Sequence, residues 1–357
     1  MKRVFWIIAF AATSVSAQTH LTLQEALGRA LKVNNTVERA RAEVLVQNEN
    51  RRFLLSQVLP HVSATGSAIR NTEQVAFSSG SNSTIVLPEN DWNYRVVLSQ
   101  PVYAGNRERR AYEQAKIGVA SAQESVLGTE DAVLLRVASN YLGVVNADAL
   151  IDVENKNIAL AEKQRTQAQA FYEAGEVTKV DVLRAETAIK GAQRLLAAAQ
   201  QSRENAVSRL RADLDVDGEI TVDRPAAVAP SLPDEQTLVA RAVGARPDVV
   251  VAENNVKSAE LEVRKQRGFW LPVVTFDAGF INQKSAFPAS RYGYGAFRFT
   301  VPLFQSGEVE ARVAQAKDRE EQARLSLEDT KIGAREDVRQ ALVDLHAAET
   351  SLQLARE

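Results

Sequence analysis

An internal duplication is the feature that most constrains the fold of this 357-residue chain. Residues of an N-terminal stretch recur 212 positions later: Ala40, Arg52, Leu59, Pro60 and Val62 return as Ala252, Arg264, Leu271, Pro272 and Val274. Further along, Pro101 and Gln114-Ala115-Lys116 return 201 positions later as Pro302 and Gln315-Ala316-Lys317. We therefore expect two copies of one supersecondary unit, the first with a longer loop where the offset changes.

The composition excludes several classes of protein. A hydrophobic content of 45% and a charged content of 25% are typical of a folded chain. With a formal net charge of −2 and interspersed charges, the sequence offers no basic face for a phosphate backbone, so we expect no nucleic-acid partner. The absence of cysteine excludes disulfides, thiolate metal sites and thiol nucleophiles.

Residues 1–17 have the pattern of a secretory signal peptide. Lys2-Arg3 is a short basic start, residues 4–12 are apolar, and Val15-Ser16-Ala17 is a small-residue cleavage site. The apolar run is too short to span a bilayer. We expect a mature chain that begins at Gln18 and leaves the cytoplasm, and a buried N-terminal helix is the alternative.

The proline-free stretch between Pro101 and Pro225 predicts long helices, because it is rich in good helix formers. A first helix from about Asn106 to Phe171 would be about 100 Å long. Its apolar residues follow a heptad register that indicates coiled-coil-like packing, with an ordinary amphipathic helix as the alternative. The seam is Val119, Val126, Val133, Val137, Val144, Ala147, Ile151, Ile158, Ala161 and Ala168, interrupted by Asn140 and Glu154.

A turn between two helices is predicted at residues 172–181. Gly175 suits the position after a helix C-terminus, and Thr178 with Asp181 three residues later suits a helix N-cap. A returning helix would run from about Thr178 to Leu210. The two helices are therefore expected to form an antiparallel hairpin.

The duplication divides the chain into regions. The first repeat, residues 18–211, is expected to hold a helix, a strand pair at about 60–101 and the long hairpin at about 105–211. A proline-containing connector covers residues 212–235. The second repeat, residues 236–357, is expected to hold helices, a strand pair at about 271–302 and a long helix. Relative to the first copy, the second repeat lacks a hairpin tip and the returning helix, and we expect it to be truncated.

Four segments of about ten residues break the helical pattern, at about 60–70, 91–101, 271–281 and 292–302. Apolar residues alternate with more polar ones in two of them, which predicts strands with one apolar face. These residues are Trp92, Tyr94, Val96 and Leu98 in one strand and Val274, Phe276, Ala278 and Phe280 in the other. The fourth segment is ambiguous, because Phe297 and Phe299 are out of phase with Tyr292 and Tyr294.

Strands of this length with aromatic ends are typical of membrane-spanning strands, and hairpins packed on a soluble core are the alternative. On the membrane interpretation, Trp92, Tyr94, Val96 and Leu98 face lipid. Four strands cannot close a membrane barrel, because open edges are not tolerated in lipid. This interpretation therefore requires oligomerisation, and three copies would supply twelve strands.

The order of several short motifs resembles the TolC-like family of outer-membrane factors. The motifs are Leu59-Pro60, Pro101-Val102-Tyr103, Ala174-Gly175 through Asp181-Val182-Leu183, Ala245-Arg246-Pro247-Asp248, Leu271-Pro272 and Val301-Pro302-Leu303-Phe304. The resemblance implies an α+β membrane protein. Its homotrimer would combine a long antiparallel α-helical barrel in the periplasm with a twelve-stranded outer-membrane β-barrel, to which each chain contributes four strands.

The same resemblance implies an exit duct of a tripartite efflux pump or a type I secretion system in the Gram-negative outer membrane. Its partners would be a periplasmic adaptor (membrane fusion) protein, an inner-membrane transporter and outer-membrane lipid. The adaptor would contact the hairpin tip, which here corresponds to Gly175, Thr178, Asp181, Val182 and Leu183. A plain turn between helices would favour Gly and Thr for capping alone, and it remains the alternative at these positions.

No catalytic, cofactor-binding or metal site is predicted, and we expect no enzymatic activity. Asp213, Asp215, Asp217 and Gly218 match the start of a calcium-binding loop, but Arg224 occupies the twelfth position, where a bidentate glutamate is needed. His20, His61 and His346 are isolated in the sequence. The alternative function is a secreted periplasmic coiled-coil scaffold without a membrane barrel.

Overall fold

The computed structural model describes residues 19–79, 82–226, 232–285 and 289–357. The signal peptide predicted at residues 1–17 lies outside the described residues, as does part of the predicted connector. The helices are α1 (Leu23–Val33), α2 (Asn35–Ser56), α3 (Arg107–Glu173), α4 (Lys179–Leu214), α5 (Glu235–Ala245), α6 (Pro247–Arg267) and α7 (Glu308–Arg356). A short 3-10 helix, Gly268–Trp270, follows α6.

The strands are β1 (Thr19–Leu21), β2 (His61–Arg70), β3 (Val75–Ser79), β4 (Asn82–Leu87), β5 (Asn90–Ala104), β6 (Ile220–Val222), β7 (Val273–Gln283) and β8 (Arg291–Thr300). The elements form two compact units that cut across the sequence repeats. The first unit consists of the described residues up to Arg39 and from Thr129 through the connector, and the second of 40–128 and 232–357. None of the helices in the described ranges is long and apolar enough to cross a membrane.

The heptad seam predicted along α3 is confirmed by burial. Its members Val119, Val133, Val137, Val144, Ala147 and Ala161 are buried, and the other four are half-buried. In the first unit, part of this seam packs with α1 and α4 into a core made of Leu21, Ala26, Ala30, Val37, Val133, Val137, Tyr141, Val144, Val207, Leu210, Leu214 and Ile220. Apolar burial at helical spacing therefore holds this bundle together.

A buried carboxylate fixes the end of α4 in the same unit. Asp213 accepts hydrogen bonds from Arg136 Nε and Asn140 Nδ2, each at 2.8 Å, and its backbone carbonyl accepts one from Asn34 Nδ2 at 3.3 Å. Asn140 is one of the two polar residues that interrupt the heptad seam, and this contact gives the interruption a structural reason. A buried charge is tolerated when it is paired and hydrogen-bonded. Arg136 provides the opposite charge for Asp213.

A short parallel sheet was not predicted from the sequence. β1 pairs with β6, and β6 lies inside the region that was expected to be only a connector. Each strand has three residues, too few to show a period. The Tyr141 hydroxyl lies 2.9 Å from the Leu21 carbonyl oxygen and 2.8 Å from that of Asp223, so it can donate to either strand region. Burial raises the pKa of Tyr141, which keeps the hydroxyl protonated as a donor.

The second unit contains an antiparallel sheet with the strand order β2-β5-β7-β8. All four predicted strands are present, and the central β5–β7 pairing joins the two repeats. The interpretation of the residues between β2 and β5 as a longer loop was incomplete, because they form a further hairpin, β3–β4. This hairpin has its own cross-strand pairing and is separate from the four-stranded sheet.

The duplication is also present in the backbone. Gly105 and Asn106 have φ values of 67° and 59° where β5 leads into α3, and Ser306 and Gly307, 201 positions later, have 49° and 82° before α7. Gly105 is required by space as well, because a Cβ there would lie 2.2 Å from the Gly268 carbonyl oxygen. Both repeats therefore leave the sheet through two consecutive left-handed residues.

The Ala245-Arg246-Pro247-Asp248 motif fixes the start of α6 in the second unit. Arg246 donates to both carboxylate oxygens of Asp248, at 3.1 and 2.8 Å, and also to Asp337 Oδ2 of α7 at 2.7 Å. Pro247 occupies the first turn of α6, where its missing N–H is not needed. The motif therefore ties the α5–α6 boundary to the final helix.

We predict that Tyr141→Phe lowers the free energy of unfolding by about 1–3 kcal/mol, because it removes a buried hydroxyl between two carbonyl acceptors. Denaturant unfolding of the full chain in detergent measures this change. Tyr172→Phe is the matched control, because Tyr172 is exposed and its loss of a hydroxyl should be nearly neutral. Equal effects of the two substitutions would contradict the role of Tyr141.

Candidate functional site

The four-stranded sheet has one continuous apolar face. Residues paired across antiparallel strands point to the same side of the sheet, and Val96 pairs with Ala64 on β2 and with Phe280 on β7. By the same register this face carries Val62, Gly66, Ala68, Trp92, Tyr94, Leu98, Phe276, Ala278, Phe297 and Phe299, together with the polar residues Gln100, Asn282 and Arg291 near the strand ends. The predicted lipid-facing residues therefore lie on one side of the sheet.

This apolar face is largely uncovered. Phe297 and Phe299 are 71% and 74% exposed, and Tyr94, Val96 and Phe280 are also exposed, whereas Trp92 and Leu98 are half-buried. Contiguous exposed aromatic and aliphatic side chains are unusual on a soluble monomer and mark a surface that is covered by a partner or by lipid.

The register also removes the ambiguity of the fourth strand. Phe297 pairs with Phe276 on the apolar face, with ring centroids 4.9 Å apart. Tyr292 and Tyr294 pair with Ile281 and Gly279 on the opposite face. The phenylalanines and the tyrosines of β8 are therefore out of phase because they lie on opposite faces of the same strand.

The opposite face of the sheet is polar and internally paired. Asp277 is buried there, accepts a hydrogen bond from Ser99 Oγ at 2.7 Å and lies 3.5 Å from Arg298. This contact crosses β5, β7 and β8, so it joins both repeats. Arg95 and the two tyrosines of β8 share this face. On the apolar side the register places a charged residue, Arg291, only at the start of β8 among the strand positions paired with β7.

Two glycines make room for aromatic rings across the strands. A Cβ at Gly66 would lie 3.1 Å from the Tyr94 ring on the apolar face, and a Cβ at Gly279 would lie 2.6 Å from the Tyr294 ring on the polar face. A ring that covers a strand glycine replaces packing that the missing side chain cannot supply. The glycines thus set the positions of the rings on both faces.

The outer edges of the sheet are free within the described chain. β2 and β8 each pair on only one side in the strand order β2-β5-β7-β8. Their outward backbone amide and carbonyl groups therefore have no strand partner in the sheet of a single chain.

The hairpin tip in the first unit has a fixed turn geometry. Gly175 has a φ of 78°, its amide donates to the Tyr172 carbonyl at 3.0 Å, and the Glu176 amide donates to the Phe171 carbonyl at 2.9 Å. This is the hydrogen-bond pattern of a Schellman C-cap, which needs a left-handed residue at this place. Gly175 is therefore explained by the turn itself.

Thr178 and Asp181 fix the start of the returning helix. The Thr178 amide and hydroxyl donate to Asp181 Oδ2 at 3.1 and 2.8 Å, and Arg184 lies 3.4 Å from the other carboxylate oxygen. The hydrogen bonds from the Thr178 side chain and backbone hold the pKa of Asp181 below its ordinary value of 3.8. The pair therefore needs an ionised carboxylate at the tip.

The tip separates exposed from buried candidates. Leu183 is 50% exposed, whereas Val182 is 8% exposed and packs inside the hairpin. Val180, 53% exposed beside Leu183, was not among the residues predicted from the sequence. The glycine and the capping pair located the tip in the sequence. Which side chains of α4 are exposed there depends on the rotation of the helix about its axis, and a ten-residue turn does not specify that rotation.

Comparison with known proteins assigns the chain to a family. The family model described as "Outer membrane efflux protein" matches residues 26–214 and 238–357, which is most of the chain. The chain belongs to the outer membrane efflux protein family. It is therefore an outer-membrane protein and an exit duct, and the expected resemblance to TolC-like factors is confirmed.

Individual relatives agree with this assignment. The outer membrane efflux protein BepC of Brucella suis is 24% identical over 98% of this chain and 76% of its own length. The alkaline protease secretion protein AprF of Pseudomonas aeruginosa is 25% identical over 65% of this chain and 50% of its own length. The crystal structure of the Vibrio cholerae outer membrane protein VceC superimposes with a TM-score of 0.79 at 16% identity, over 93% of this chain and 80% of that one.

The family assignment decides between the functions that the sequence left open. An outer-membrane efflux protein needs a lipid-facing surface, so the alternative of a periplasmic scaffold that never meets lipid is not supported. Within the described ranges, no three His, Asp or Glu side chains are grouped closely enough to hold a metal ion. The candidate functional surfaces of the chain are the apolar face of the sheet and the hairpin tip.

We predict that the start of α4 loses protection in acid. The pKa of Asp181 is lower in the folded chain, so its stabilising effect is complete above the ordinary value of 3.8 and is lost as the pH falls from there through the lower pKa of the folded state. Amide hydrogen exchange of a peptide covering the tip, corrected for intrinsic rates, measures the loss. Asp181→Asn should abolish this pH dependence, and an unchanged dependence would show that Asp181 is not its source.

Proposed function

We propose that three copies of the chain close a twelve-stranded outer-membrane barrel and form a duct that conducts substrates passively to the exterior. The observation that carries this proposal is a sheet with one exposed apolar face, one polar face and two unpaired edges. A closed barrel gives each of these features a partner: lipid, water and the next chain.

The proposed trimer would assemble through the edge strands β2 and β8. β8 of one copy would pair with β2 of the next, which supplies the hydrogen bonds that these strands lack within one chain. Three chains with four strands each give twelve strands, an even number above the minimum of eight for bacterial membrane barrels. The helices would then form the periplasmic wall of the same duct.

The polar face would line the lumen. The Ser99–Asp277–Arg298 contact neutralises a buried carboxylate on that side, and the tyrosines add hydroxyl groups to the same surface. Such a lining supports a water-filled passage, so the duct needs no covalent chemistry. An inner-membrane transporter would select and supply the substrate.

Opening would take place at the periplasmic end, where the α3–α4 hairpin turns. We infer that an adaptor protein contacts the exposed part of this tip and binds more tightly to the open arrangement, because a ligand shifts a conformational equilibrium only by its differential affinity. Gly175, Thr178 and Asp181 would shape the tip, Leu183 and Val180 would provide contact area, and Val182 would hold the hairpin together.

The class of machinery has two candidates. The family description and BepC favour an efflux pump. The similarity to AprF favours a type I secretion system, in which the cargo would be a protein. We favour efflux, because BepC matches a larger share of the chain than AprF does.

We predict that Val96→Arg prevents insertion of the trimer, because a charged side chain near the middle of the lipid face costs about 2–4 kcal/mol in each copy. The measurement is the amount of heat-sensitive trimer on gels of the outer-membrane fraction. Val97→Arg is the matched control, since Val97 pairs with Ser63 and Gly279 on the polar face. The proposal is wrong if both variants assemble like the wild type.

We predict that Leu183→Asp weakens adaptor binding by about tenfold, the effect of losing one contact residue in an interface. Binding of the purified adaptor to the solubilised trimer measures this change. Leu195→Asp, an equally drastic change at a leucine that is also exposed on α4, should leave binding unchanged. A larger effect at Leu195 than at Leu183 would show that the contact lies away from the tip.

A further inference from the structure

A basic and aromatic corner lies where α6 leads into the sheet. Arg264, Arg267 and Trp270 are spaced by three residues, which places them on one side of the helix end. All three side chains are exposed, Trp270 to 47%. We call these three residues the α6 corner.

The corner is built on a packed set of cations. The guanidinium carbons of Arg107 and Arg312 lie 4.4 and 4.9 Å from the centre of the Phe269 ring, next to Trp270. Arg110 donates to the backbone carbonyl of Arg264. Several positive charges are therefore held near the end of α6 by contacts of the fold itself.

Most of these cations have partners of their own, but the corner does not. Arg312 pairs with Glu308, and Lys265 pairs with Glu262. Arg107 donates to the Ala104 carbonyl at 2.9 Å. In the parts of the chain that the structure describes, neither the Arg264 nor the Arg267 side chain makes an ion pair or a hydrogen bond, so both charges are free to bind an anion.

The two repeats differ at this place. Arg52 is the counterpart of Arg264 in the first copy and is paired with Glu49 at 3.0 Å. The counterpart of Arg267 is Leu55, and that of Trp270 is Val58. The free basic pair with an adjacent indole is therefore specific to the second copy and is not a general feature of the repeat.

The corner adjoins the apolar face in the order that a membrane interface requires. Along the chain, the two arginines come first, then Trp270 and the exposed Leu271, and then β7 with Phe276 and Phe280 on the apolar face. Arginine at phosphate depth, an indole at the interface and apolar residues in the hydrocarbon are the usual sequence of layers.

We propose that Arg264, Arg267 and Trp270 bind headgroups of anionic phospholipids in the membrane leaflet nearest the helices. The arginines contact the lipid phosphates, and Trp270 lies between them and the acyl chains. This inference rests on the proposed membrane barrel, and it adds a specific lipid class and a site to it.

Native mass spectrometry of the full-length trimer in non-ionic detergent, with dioleoyl-phosphatidylglycerol or dioleoyl-phosphatidylcholine added, tests the proposal. We expect the wild type to retain phosphatidylglycerol preferentially. Arg264→Gln with Arg267→Gln should reduce this preference about tenfold to thirtyfold, because each arginine near an anionic surface contributes about fivefold to the affinity. Replacement of both arginines by lysine should preserve most of the preference.

The control is Arg165→Gln with Arg194→Gln, two exposed arginines of the α3–α4 hairpin, which changes the net charge equally and should have no effect. Equal retention of the two lipids by the wild type overturns the proposal without any variant. So does an unchanged preference in the double glutamine variant. Failure of the wild type to form an outer-membrane trimer would instead refute the proposed barrel, so the two failures are distinguishable.

Discussion

Backbone amide and carbonyl groups have no water to bond with inside a lipid layer, and in the proposed barrel this constraint governs the sheet of the second unit. β5 and β7 have a strand on both sides over most of their length, whereas β2 and β8 are paired on one side only. A single copy of this sheet is therefore an unfinished structure in lipid. In the proposed barrel, pairing of these edges would leave the apolar face toward lipid and the polar face toward the lumen.

The residues on the two faces of the sheet make different kinds of contact. On the apolar side, aromatic rings such as Tyr94 and Phe297 pack over glycine or over each other. On the polar side, Asp277 is held between Ser99 and Arg298. At the hairpin tip, Gly175 and the Thr178–Asp181 pair define the turn and leave Leu183 and Val180 exposed to solvent.

Regular periods made much of this architecture predictable. The heptad seam located α3, the duplication located both strand pairs, and alternation in β5 identified the apolar face through Trp92 and Val96. The β1–β6 and β3–β4 pairings escaped because their strands are too short or too polar to show a period. Asn140 seemed to break the seam, since its partner Asp213 lies 73 residues away. The burial of Val182 depended on helix rotation, which no local motif specifies.

The Ser99–Asp277 hydrogen bond joins residues 178 positions apart, and it lies at the pairing of β5 with β7 that unites the repeats. Contacts of such high sequence separation form slowly, whereas the α3–α4 hairpin depends on neighbours in the chain. The four-stranded sheet therefore depends on contacts between distant residues, and the helical hairpin on contacts between nearer ones. The helical hairpin needs only α3 and α4, whereas the four-stranded sheet needs β7 and β8 of the second repeat, so its apolar face is complete only once that repeat is present.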